Sequence, residues 1–139
     1  MVIKVNKETC IEELLNGVNM GMVAIDHLVD KIEDKKLRDI VIHQRKAYAD
    51  LKEKIQHQYP QVEDVIKQKF MLESMIELKT VLTDDAKIAK MLTEGCNQAI
   101  MTVTHLLNKE DNIEMKLRNC VHDFEEISEK YLEDLKSFL

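Results

Sequence analysis

Five histidines and three cysteines are the side chains of this 139-residue chain best suited to hold a metal or to act as nucleophiles. A carboxylate-bridged di-metal site in a helix bundle draws Glu from two helices and Glu-x-x-His from two more. The residues three positions before His27, His43, His57, His105 and His122 are Ala24, Ile40, Lys54, Thr102 and Asn119, so no histidine completes that motif. Helical hairpins offer a lesser arrangement. Folding about Glu33-Asp34 would place His27 and His43 about one turn apart, and folding near Glu110 would do the same for Cys96 and Cys120. Zinc and copper need third and fourth ligands from other helices. His27, His43, Cys96, Cys120 and His122 are thus metal candidates only if they converge, and core cysteines with boundary histidines are the plainer expectation.

Other chemistry is harder to assemble. His122 lies two residues from Cys120, on a different side of a helix, and no third group orients the pair. The sequence has no glycine-rich phosphate loop, Walker pattern or dinucleotide fingerprint, so neither a cofactor nor a catalytic residue is expected. Methionines including Met20, Met22, Met71, Met75, Met91 and Met101 suit either an adaptable ligand groove or gap-filling in a core.

These side chains must be positioned by helices. Apolar residues make up 45% and charged residues 33% of the chain, while three glycines, one proline and 4% aromatics leave few of the breakers and strand formers that sheets use. A chain of this length suits one domain and buries roughly 70% of its unfolded surface. The odd, widely spaced cysteines Cys10, Cys96 and Cys120 predict free thiols in a reducing cytoplasm. The start lacks the apolar core of a signal peptide, and the longest uncharged apolar-rich stretch ends at Asp26, too short to span a bilayer. A formal net charge of -6 argues against nucleic acid as a partner. Residues 8 to 34 carry seven acids against one base, residues 35 to 60 seven bases against three acids, and residues 110 to 139 nine acids against four bases. That pattern predicts a basic second segment packed between acidic neighbours, or an acidic docking face for a basic partner.

Five amphipathic segments follow. The first has a heptad seam of Ile11, Leu15, Val18, Met22, Ile25, Val29 and Ile32, opened by a Thr9-to-Glu12 capping box. The second carries Leu37, Ile40, Ala47, Leu51 and Ile55, interrupted by Gln44, and must stop before Pro60. A third spans about Val62 to Leu82, apolar on more than one face and therefore expected to be covered on two sides. Thr83, Asp84 and Asp85 cap the fourth, whose seam is Ile88, Leu92, Cys96, Ala99, Val103 and Leu106. Asp111 and Glu114 cap the fifth, with Ile113, Leu117, Cys120, Phe124, Ile127, Tyr131, Leu135 and Phe138, and its seam predicts a docked C-terminus. The expected fold is a single all-α domain, residues 1–139, built as an antiparallel helix bundle. Segments one, two, four and five match in length at about 36 to 40 Å, so a third helix of about 30 Å would carry the chain back in ferritin-like fashion. A plain up-down five-helix bundle is the alternative.

Gly17 and Gly21 are four apart in the first segment, and Gly95 with Ala99 repeats the spacing in the fourth. Each helix glycine costs about 1 kcal/mol against alanine, which predicts close packing of the two helices there, or a gap left for a ligand or second subunit.

The stretch Asn19-Met20-Gly21-Met22 to Leu28, then Lys31-Ile-Glu-Asp-Lys-Lys-Leu37-Arg38, Gln44 and Tyr48, resembles a group of small helical proteins of clostridia and related Firmicutes with no assigned function. Ile88-Ala-Lys-Met-Leu92-Thr-Glu-Gly95 to Leu106-Leu107 resembles the same group's second half. The resemblance implies a ferritin-like or related bundle and supplies no catalytic residues. Taken with the absent chemistry, the leading expectation is a non-enzymatic cytosolic protein acting through protein contacts, as a homo-oligomer. A metal- or small-ligand-binding bundle with non-standard ligands is the alternative, and an acidic inhibitor or immunity-type binder a third.

Overall fold

A computed structural model describes residues 6–79, 83–110 and 112–139. Five helices occupy them: α1 (Lys7–Leu28), α2 (Lys35–Gln58), α3 (Lys69–Lys79), α4 (Asp85–Lys109) and α5 (Met115–Leu135), with short 3-10 turns after α1 and α5. The chain is all-helical and its helices pack as a bundle.

Polar termini set the helix boundaries. Asn6, rather than Thr9, caps α1: its Oδ1 accepts from the Thr9 backbone N–H at 2.8 Å, so the helix starts earlier than the capping box predicts. Asp34 and Asp84 cap α2 and α4 in the same way, so Thr83 is not the cap. The expected cap at Asp111 lies outside the described residues, and Glu114 stands at the N-cap of α5 without a side-chain capping bond. α2 ends two residues before Pro60, because proline disfavours helical geometry in the residue before it.

Contacts across the bundle give its topology. Arg45 pairs with Asp26, and Lys54 with Asp123, so basic α2 lies between acidic α1 and α5. Asp85 accepts from the backbone N–H groups of Glu33 and Asp34 at 3.0 and 2.8 Å, which fixes the start of α4 at the α1–α2 turn. At the other end the Tyr59 hydroxyl donates to Glu114 at 2.5 Å. Helices α1 and α2 form one antiparallel hairpin and α4 and α5 another. Around the bundle the order is α1, α2, α5, α4, every neighbour antiparallel.

The segment joining the hairpins rises beside α1. The helix expected from Val62 does not form: residues 63–66 have no regular structure, and Gln68 adopts a left-handed backbone at φ 58°, which a continuous helix does not allow. The reason is side-chain competition from α1. Asn19 Nδ2 donates to Asp64 Oδ1 at 2.6 Å and to the Val65 carbonyl at 2.9 Å, and Asn16 accepts from the Lys67 N–H at 2.7 Å. Lys67 also pairs with Glu13, and His27 with Glu73 at 3.0 Å. Among the described residues of this segment the 11 of α3 are helical, about 16 Å of rise, and the expected end at Leu82 lies outside the described residues.

The core runs through all four long helices. In α2 the buried seam is Leu37, Val41, Gln44, Tyr48, Leu51 and Ile55, one residue displaced in the middle from the predicted Ile40 and Ala47, which are half-buried. Leu135 is fully buried and Phe138 packs against the core, so the C-terminal turn is docked. Within α3 only Ile76 is buried, whereas Phe70, Leu78 and Met71 are 82%, 79% and 65% exposed. The expectation that this segment is covered on two sides therefore fails: it roofs α1 with one face and offers the other to solvent.

Candidate ligand cavity

Beneath α3, between α1 and α4, lies a cavity of about 610 Å³. Its walls are apolar: Met20, Ala24 and Leu28 from α1, Leu72, Met75 and Ile76 from α3, Met91 and Leu92 from α4. Exposed lining residues Lys67, Lys79, Glu94 and Gln98 mark its mouth. At its inner end stand Tyr48, Cys96 and Tyr131, all nearly inaccessible to bulk solvent. The two tyrosine rings meet edge to face, centroids 6.4 Å apart, a favourable aromatic geometry.

Small residues explain how a tyrosine from α2 reaches this space. A Cβ on Gly21 would lie 2.5 Å from Tyr48 Cε2, so the ring rests on the α1 backbone only because that position is glycine. Gly17 is in ordinary contact range, its Cβ position 3.5 Å from Phe124 and 3.7 Å from the Ala99 Cβ, where α1 and α4 approach. A Cβ on Gly95 would meet nothing within 4 Å, and that residue lines the cavity. The four small residues thus serve three different purposes: a helix crossing at Gly17 and Ala99, a seat for an aromatic ring at Gly21, and open wall at Gly95.

The inner end is polar but uncharged. The Tyr48 hydroxyl sits beside Gln44, Cys96 and Ser128, and Cys96 Sγ lies 3.8 Å from the Ser128 carbonyl oxygen, to which it donates. Burial pushes the Cys96 thiol up and both phenols well above the usual tyrosine range, so all three stay protonated at neutral pH. Gln44 Nε2 and Ser128 Oγ lie beside the Tyr48 hydroxyl without a well-aligned hydrogen bond, and Tyr131 Oη is buried without a hydrogen-bond partner. An unsatisfied buried polar group costs about 1 to 3 kcal/mol, and that cost falls here on the Tyr131 hydroxyl.

The metal candidates are dispersed. His27 pairs with Glu73 on the crossover, His43 is exposed on α2, and His122 is exposed, 3.8 Å from Glu125. Cys120 is buried, its Sγ 3.2 Å from Gln58 Oε1, whereas Cys96 faces Ser128, eight residues or about 12 Å further along α5. Among the described residues no three of His, Cys, Asp or Glu are grouped to hold a metal ion. The three cysteines are free and buried. Among the described residues no helix is long and apolar enough to cross a membrane.

Sequence reasoning missed Tyr48 and, behind it, Ser128 as site residues. Gly21 reads in the sequence as close packing of the first and fourth segments, whereas its neighbour is the Tyr48 ring from α2. No protein-family model matches the chain, and no curated protein or solved structure matches it.

Proposed function

We propose that this protein is a non-enzymatic, cytosolic binding protein for a small, mostly apolar molecule held between α1, α3 and α4. The observation that carries the reading is the methionine-walled cavity of about 610 Å³ ending at the buried, unpaired Tyr131 hydroxyl, an apolar pocket with a placed polar group of the kind ligand sites share. Methionine walls adapt to ligand shape, and polar contacts tie the segment leading into α3, and Glu73 of α3 itself, to α1. One long crossover between two antiparallel hairpins is the connectivity that a ferritin-like description calls for. A neutral naphthylamine fluorophore titrated into the purified protein is expected to brighten saturably at one site. Gly95→Phe, which adds bulk where a Cβ has open space, is expected to weaken that binding at least tenfold with little change in melting temperature. Absence of saturable binding to the unmodified protein would remove this reading.

A second reading rests on the outer face of α3. Phe70, Met71 and Leu78 form a helical stripe of exposed apolar side chains, of the kind that marks protein contacts. It supports self-association or docking of a protein partner. Sedimentation equilibrium should then show an oligomer that Phe70→Ser with Leu78→Ser converts to monomer; a monomeric parent protein at high micromolar concentration would end the self-association part.

A further inference from the structure

The cavity's two ends differ in a way that restricts its occupant. Charged side chains are confined to the mouth, where Glu13 pairs with Lys67 and where Lys79 and Glu94 are exposed. The inner end has no ionised group: Tyr48, Cys96 and Tyr131 line it, with Ser128 and Gln44 behind them. A charged head group taken to that end would be desolvated without a counter-charge, an arrangement proteins avoid. An aliphatic tail end there would leave the buried Tyr131 hydroxyl unanswered.

We propose that the cavity selects a neutral, predominantly apolar molecule with a single oxygen acceptor, a ketone, ester or amide carbonyl, seated against Tyr48 and Tyr131 at the inner end. This rests on the ligand-binding reading above and adds the ligand's chemical class and orientation. A phenol is a strong donor, and the Tyr131 hydroxyl has no other partner while its ring is held edge to face against Tyr48, so the carbonyl oxygen meets a preorganised donor. Met20, Met75 and Met91 accommodate the apolar body along the wall.

The test is displacement of the bound fluorophore by four medium-chain compounds of equal length: a methyl ketone, the alkane, the fatty acid and the alkylammonium. The ketone is expected to bind about tenfold more tightly than the alkane, the worth of one buried hydrogen bond, and both more tightly than either ion. Tyr131→Phe is expected to erase the preference for ketone while leaving alkane affinity unchanged, a selective loss that a general packing defect would not give. Equal binding of ketone and alkane to the parent protein would overturn the acceptor assignment. Tightest binding of the fatty acid or the ammonium would overturn the neutral inner end. If the fluorophore and all four compounds fail to bind, the ligand-binding reading itself falls.

Discussion

Asn19→Leu is expected to lower stability by about 2 kcal/mol and to loosen the crossover more than the rest of the bundle. Asn19 is 2% exposed and supplies two hydrogen bonds to the segment before α3, one to a carboxylate and one to a backbone carbonyl. A net hydrogen bond is worth about 1 kcal/mol and one to a charged group about 1.5 to 3. The carboxylate bond counts at the lower end, because the Asp64 side chain is 40% exposed and keeps its ion pair with Lys52. Burial pushes Asp64 up, but the bonds from Lys52 and Asn19 outweigh it and hold the carboxyl below its ordinary range. Its part of the hook is therefore present above the unfolded pKa and is lost as pH falls through the folded value. The change corresponds to about 8 °C in melting temperature. Hydrogen exchange distinguishes the cause: amides of α3 should exchange faster in the variant while those of α2 and α5 keep their relative protection. Uniform acceleration in all helices would show that Asn19 supports the bundle as a whole and not the roof in particular.

Alanine at two of the three glycines should act with opposite sign. At Gly21 the new Cβ would approach three atoms of the Tyr48 ring at 2.5, 2.9 and 3.1 Å, and that ring is enclosed by the polar cluster around Gln44 and Ser128. Overpacking of this kind costs about 1 to 3 kcal/mol or more, against a gain near 1 kcal/mol in helix propensity, so a net loss of about 2 kcal/mol is expected. At Gly95 the Cβ meets no neighbour within 4 Å, and only the propensity gain of about 1 kcal/mol remains. Parallel denaturant titrations of the two variants decide the matter. Stabilisation by both would mean that Tyr48 yields and does not depend on the glycine.

Much of the scaffold is legible from periodicity, because each long helix repeats its apolar positions over several turns. The α1 seam from Ile11 to Ile25 is buried as the spacing requires, and α4 and α5 follow their patterns through Cys96 and Phe124. The α2 seam is less secure, since Leu37, Gln44 and Leu51 fit two registers and only the packing of Tyr48 against α1 selects Val41 and Tyr48 over Ile40 and Ala47. Val62-Glu-Asp-Val65-Ile66 satisfies an apolar count for a helix, yet its β-branched residues are poor helix formers and Asn19 offers its backbone a different partner. That partner lies 46 residues away, so a local reading could not find it. The cavity is less legible still. It arises where methionines of three helices meet the open wall at Gly95, and the unpaired hydroxyl at its end belongs to Tyr131, which looks in sequence like an ordinary seam position.

The crossover also bears on how the molecule reaches its native state. Each hairpin is assembled from neighbouring segments and makes its contacts at short sequence separation, the condition under which helical units form fastest. Contacts such as Gly17 with Ala99 or Tyr48 with Tyr131 must wait until the two hairpins meet. The entropy of closing the intervening chain rises only with the logarithm of its length, by about 0.6 kcal/mol for each doubling. Folding thus places little demand on how long that connection is. The constraint on its sequence comes instead from the hook at Asp64 and from the inner face of α3, leaving the solvent-facing residues of the same helix free to diverge without disturbing either hairpin.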